Sequence, residues 1–374
     1  MKKYVIIMFA FFFVFSIKCS AQQPEDNEIY KEQYELSEAD QIKESLPDET
    51  ADYLAENGID PENPDWVNSL TSENVFSHIW EFLKSGAKSP LAAGAAIFSV
   101  IIISAALSGM ETGSSAATTA LYATVLSVAA VICVPVISVI TASVNAMQGC
   151  AVFMTAFVPV FAVIVASSGA AVTSVSMSAL LLGAAQTVSY ISNFVVIPLL
   201  SGFLAISIAT SVSPLLTRSG IADGIKKIAF WIMSLMTTVF VGILSIQTAV
   251  NASADTLAMK TAKFIVGSSV PVAGTVLSEA LTTVTASMGI LKSSVGVYGV
   301  IACCAIFLPL LAELFIWRIV LMLNAVVSDL FSLGKISGLL RSVDTVISVI
   351  IGIIMLTCAM FVISLSIVVS AGKT

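Results

Sequence analysis

A chain of 374 residues with 57% hydrophobic and 11% charged residues, and a mean hydropathy of +0.98, lacks the polar surface of a water-soluble fold. The net charge of −7 is concentrated: residues 22–88 hold 17 of the 24 acids but only four of the 17 bases, and the remainder is slightly basic. This pattern excludes a nucleic-acid surface and points to a membrane protein with one acidic aqueous segment.

The chain opens with a basic pair, Lys2 and Lys3, and an apolar run from Tyr4 to Ile17. Cys19-Ser20-Ala21 then supplies the small residues of a cleavage site, so residues 1–21 read as a signal peptide cut after Ala21. Lys18 occupies the place before Cys19 where a lipoprotein needs a small residue. Residues 22–88 are therefore expected to be exported. Gln22–Ser45 reads as polar helix or disorder. A helix starts at Pro47-Asp48-Glu49 and stops at Gly58. Glu73–Lys84 reads as an amphipathic helix with Val75, Phe76, Ile79, Trp80 and Leu83 on one face, lying on the membrane or on the bundle.

Residues 89–374 form a polytopic transmembrane domain, and backbone satisfaction in hydrocarbon requires the spans to be helices. The segments are about 90–107, 120–139 (with Pro135), 150–168 (with Pro159), two spans within 171–209 turning near Ser192-Asn193, 228–244, 295–323 and 346–369. Stretches 211–227 and 328–345 read as basic surface helices at the cytoplasmic face. The tract Phe264–Leu291 is rich in Gly, Ser and Thr and carries Pro271, Gly274 and Glu279. It reads as a polar span or a re-entrant segment. The positive-inside rule favours re-entry, because both basic loops then fall on one side. The expected fold is all-α, with about eight spans and an external C-terminus. Small-residue runs, Ala92–Ala96, Ser167–Ala170 and Gly109-x-x-x-Gly113, fit tight helix packing or a homo-oligomer.

The residues offer little chemistry. One histidine, His78, cannot build a zinc cluster, and no Ser-His-Asp set is suggested. No G-x-S-x-G is present, and no glycine-rich loop fits a phosphate fingerprint. No catalytic, cofactor-binding or metal-ligating residue is assigned, and the chain is not read as an enzyme. Cys133, Cys150, Cys303, Cys304 and Cys358 read as small buried hydrophobes. The ionisable groups at membrane depth, Glu279, Glu313 and Arg318, are the candidates for pore or packing roles, with Pro271 and Gly274. Glu313 and Arg318 are poorly placed to pair on one helix, so Arg318 snorkels and Glu313 pairs elsewhere or is protonated.

The layout resembles the stage III sporulation protein AE family. The resemblance rests on the cleavable signal, on Asn63-Pro64-Asp65-Trp66 in a short acidic exported region, on Lys263–Gly274 running on to Ser278-Glu279-Ala280, and on Lys292-Ser293-Ser294-Val295-Gly296. It implies a subunit of a channel or secretion-like complex in the mother-cell membrane around the forespore, needed for late forespore gene expression. It implies as partners other stage III A membrane proteins and a forespore membrane protein, and it carries over no catalytic residues. A stand-alone secondary transporter is the alternative the residues leave open, with Glu279 in a broken helix as its ion contact.

Overall fold

The computed structural model describes residues 27–63, 66, 80–110, 115–212, 220–269 and 274–370, and every regular element among them is a helix. Residues 1–26, which include the expected signal peptide, and His78, Arg218, Pro271 and Gly113 of the small-residue run lie outside these residues.

Three short helices come first: α1 (Asn27–Leu36), α2 (Asp40–Glu44) and α3 (Asp48–Glu56). Pro47 opens α3 and presents its carbonyl to the amides of Thr50 and Ala51. Asp48 and Glu49 occupy the first turn, where the helix dipole favours anions. Gly58, at φ +66°, closes α3: the Ile59 amide donates to the Leu54 carbonyl and the Gly58 amide to Ala55. These helices do not stand apart from the membrane domain. Tyr30, Tyr34, Ile42, Leu46, Leu54 and Trp66 are buried and join the core of the bundle. Their acidic residues cover the outer face. This arrangement is how a segment too small for its own core becomes ordered.

The long helices are α4 (Lys88–Met110), α5 (Ser115–Ser167), α6 (Ala171–Ile191), a π-helical turn (Ser192–Val196), α7 (Ile197–Val212), α8 (Gly220–Ser269), α9 (Gly274–Leu330) and α10 (Gly334–Ser370). Among the described residues six stretches are long and apolar enough to cross a membrane: Lys88–Ala106, Tyr122–Ser167, Ala171–Ser211, Lys227–Gln247, Val284–Leu330 and Gly334–Val369. The protein is thus an all-α polytopic membrane protein, and the described helices divide the apolar segments differently from the eight expected.

The difference has local causes. Segments 120–139 and 150–168 are one helix, because Pro135 and Pro159 sit inside α5 without reversing it. The irregularity at Ser192-Asn193 is real, but it is a π turn and not a hairpin. It falls just before Pro198, whose missing N–H and bulky ring disfavour a regular α turn there. Stretch 328–345 is no single surface helix. It is the tight joint of α9 and α10, closed by the Leu333 amide on the Ser328 carbonyl, with Ser332 at φ +59°. Ser167–Ala170 is likewise a turn, with Gly169 at φ +91°. Phe264–Leu291 is divided between the end of α8 and the start of α9, so it is a joint between two long helices and not a self-contained insertion.

Chain neighbours α5 and α6, and α9 and α10, pack antiparallel. Arg318 meets Asp344, and Gly296 meets Val369, which sets the register of α9 on α10. Ser174 Oγ donates to the Ala162 carbonyl, which folds α6 back on α5. The α9–α10 hairpin is central: the apolar windows of these two helices are 67% and 72% buried, against 18% for α8. Glycines let neighbours approach this hairpin. A Cβ on Gly94 would stand 2.3 Å from Val320 Cγ1, so α4 lies directly against α9.

Candidate functional site

The five residues singled out from the sequence do not form one site. Gly274 is the first residue of α9 and Glu279 lies in the helix's second turn, while Pro271 falls outside the described residues. Glu313 is about 50 Å further along the same helix, at about 1.5 Å per residue. The outer joint and the Glu313–Arg318 region are therefore separate places.

Arg318 is not left to reach for the membrane boundary. Its Nε donates to Asp344 Oδ1 on α10 at 2.9 Å, with both side chains about three-quarters buried at 23% and 29% exposure. Asp344 does not stand out in the sequence, because it lies within the basic 328–345 stretch and looks like a surface charge. Below it, Arg341 Nη2 donates to Asp329 Oδ2 across the α9–α10 turn. Lys335 Nζ donates to Tyr122 Oη at 2.6 Å and ties this end of α10 to α5. Glu313 stands where the chain enters α4. A Cβ on Gly86 would lie 3.2 Å from the backbone of Glu313, so the short helical stretch 80–86 rests on α9 at that point.

The best-formed polar site was not foreseen. Asp255 of α8 is 6% exposed and caps the start of α6 from a different helix. Its Oδ1 accepts the Val172 amide at 2.8 Å and the Thr173 amide at 3.3 Å, and its Oδ2 accepts the Thr173 hydroxyl. One turn away, Asn251 Nδ2 donates to Ser176 Oγ. A helix start leaves its first amides without intrahelical acceptors and carries partial positive charge, so a carboxylate is well matched to it. Residues 251 and 255 share a face at a spacing of four, and Thr173, Ser174 and Ser176 follow a glycine turn. That was the available signal, but nothing in the sequence joined positions 82 residues apart. Asp255→Ala is expected to cost ~1–3 kcal/mol, because two amides and a hydroxyl lose their acceptor. Thermal loss of monodispersity in detergent reads this directly. Asp255→Asn, which keeps one acceptor oxygen, is expected to fall between wild type and alanine. An unchanged midpoint for alanine contradicts the capping role.

The acidic N-terminal segment docks on α5 and α9. Ser287 Oγ donates to Gln33 Oε1 at 2.9 Å, and Gly149 of α5 admits the Pro47 ring, 3.0 Å from where a Cβ would stand. Tyr30 Oη donates to the Pro61 carbonyl at 2.8 Å. Burial pushes the Tyr30 phenol up to about 12, so the donated proton is held at any physiological pH. In the stretch Lys292–Gly296 the first four residues are buried, and Gly296 abuts Phe161 and Val369. This run is a packing seat in the bundle interior.

A family profile described as Stage III sporulation protein AE (spore_III_AE) matches residues 66–372. The Stage III sporulation protein AE of Bacillus subtilis (strain 168) is 28% identical over 233 residues, covering 61% of this chain and 57% of the relative. The matched region thus spans little more than half of that relative's length. No solved structure matches.

Proposed function

We propose, since this chain belongs to the stage III sporulation protein AE family, that it is an integral membrane subunit of a channel or secretion-like complex joining mother cell and forespore. The family match across residues 66–372 carries the reading. In this reading the protein lies in the mother-cell membrane around the forespore, is needed for late forespore gene expression, and performs no catalysis. Its partners are other stage III A membrane proteins and a forespore membrane protein. In this reading an exported start and six crossings bring Lys226, Lys227, Lys335 and Arg341, near the starts of α8 and α10, to the cytoplasmic side, as the positive-inside rule asks.

Two physical features support a part in an assembly. Helix α5, at 53 residues, is about 80 Å long, more than twice a hydrocarbon core of about 30 Å. The bundle is therefore longer than a bilayer is thick. Helix α8 is the least covered, and Trp231, Leu235, Val239, Ile243 and Ile246 lie exposed along it, open to lipid or to other membrane helices.

The test is a mild-detergent pull-down of tagged protein from sporulating cells, read by mass spectrometry. Co-recovery of other sporulation membrane proteins is the expected result. Recovery of this chain alone, as a monodisperse species, overturns the subunit reading and leaves a stand-alone transporter to be tested by flux in proteoliposomes.

A further inference from the structure

Four cysteines from three helices meet in one layer of the bundle. Cys150 of α5, Cys303 and Cys304 of α9 and Cys358 of α10 are all at most 4% exposed. The Cys303 side chain interacts chiefly with Cys150 and the Cys358 side chain with Cys304, with further interactions across the layer. The helix registers agree with this meeting. Gly299 lies against Phe157, Cys303 is one turn further along α9 and Cys150 about two turns back along antiparallel α5, so the two lie within one turn of each other. Arg318 pairs with Asp344, and stepping fourteen residues along each of the antiparallel helices leads to Cys304 and Cys358. Cys133 lies 17 residues before Cys150 on α5, well outside the layer. Among the described residues no three His, Cys, Asp or Glu side chains are arranged to hold a metal ion.

We propose that Cys150 with Cys303, and Cys304 with Cys358, are two oxidisable thiol pairs that act as redox staples of the bundle core. With a peroxide as oxidant, one thiol of a pair attacks the O–O bond, becoming a sulfenic acid and releasing water. The second thiol then attacks that sulfur and releases a second water, closing the S–S bond. Each pair thus gives up two electrons and two protons to one hydrogen peroxide molecule. The first disulfide fixes α5 to α9 and the second fixes α9 to α10. Together they lock the register of the central hairpin and its neighbour. The layer is closed to solvent, so it stays reduced until the bundle breathes enough to admit a small oxidant.

The experiment uses the full chain in native membranes treated with hydrogen peroxide. Remaining thiols are blocked with a maleimide under denaturing conditions, and peptides are mapped by mass spectrometry with and without reductant. The expected result is reductant-sensitive Cys150–Cys303 and Cys304–Cys358 peptides, with Cys133 still maleimide-labelled. Cys303→Ser is expected to abolish the first link and keep the second; if that variant does not insert, Cys150→Ala serves the same purpose. Maleimide on Cys150, Cys303, Cys304 and Cys358 after peroxide, loss of labelling that reductant does not reverse, or links between Cys150 and Cys304 or Cys303 and Cys358 would each overturn the assignment.

Discussion

Alanine in place of Asp344 is expected to destabilise the protein more than alanine in place of both Asp344 and Arg318. The Nε of Arg318 sits 2.9 Å from Asp344 Oδ1 between α9 and α10, the two most buried helices of the bundle. Removing Asp344 alone leaves a guanidinium inside an apolar hairpin with the carboxylate it donates to gone. Breaking a fully buried pair costs about 3–5 kcal/mol, and the residual exposure of these two side chains brings the expectation to ~2 kcal/mol or more. Removing both charges takes away the attraction and the desolvation penalty together. An apolar pair such as Arg318→Met with Asp344→Leu is therefore expected to approach wild-type stability. The measurement is a double-mutant cycle on thermal midpoints in detergent. A double variant as unstable as the sum of the singles would show that the pair is not coupled. A folded double variant that still blocks spore formation would assign the pair a role beyond holding the hairpin.

That pair also shows what was legible in the sequence and what was not. The fold class followed from apolar segments that could satisfy their backbone only as helices. The α3 boundaries followed from local chemistry: a proline and two acids at the start, and a glycine at the stop. The number of crossings was harder, because it depends on whether the chain reverses, and the segment Thr141–Gly149 has the polarity of a connecting loop. It is helix throughout. The hydroxyls of Thr141 and Ser143 donate to carbonyls of their own helix, and Gly149 is small because Pro47 of the acidic N-terminal segment presses against it. Polarity there marks a contact and not a turn. Arg318 and Glu313 could be recognised as charges at membrane depth, but their neighbours could not. Asp344 and Asp255 each satisfy groups on another helix, 26 and 82 residues away in sequence, and one chain without relatives in view holds no record of such pairings.

Gly299→Ala is expected to lower stability even though it replaces glycine inside a helix. In an open helical position that change stabilises by up to about 1 kcal/mol. At Gly299 the new methyl would stand 2.4 Å from Phe157 Cζ and 2.7 Å from Cε2. The ring has little room to yield. Phe157 is fully buried and sits in a ladder with Phe153 and Phe161, ring centroids 5.3 and 5.1 Å away. Helix α9 must therefore move off α5, at the ~1–3 kcal/mol typical of overpacking, which outweighs the gain in helix propensity. Gly183→Ala and Gly202→Ala are the matched controls, since nothing lies within 4 Å of a Cβ at either position. Thermal midpoints should rise slightly for the controls and fall for Gly299→Ala, with partial recovery when Phe157→Leu is added. A stabilised Gly299→Ala would mean that the glycine is not the notch that seats α5. Cys303 lies one turn beyond Gly299, so the same displacement should separate it from Cys150. A Gly299→Ala protein that folds but no longer forms the Cys150–Cys303 link, while keeping Cys304–Cys358, would place the packing notch and the thiol layer in one rigid register of α5 on α9.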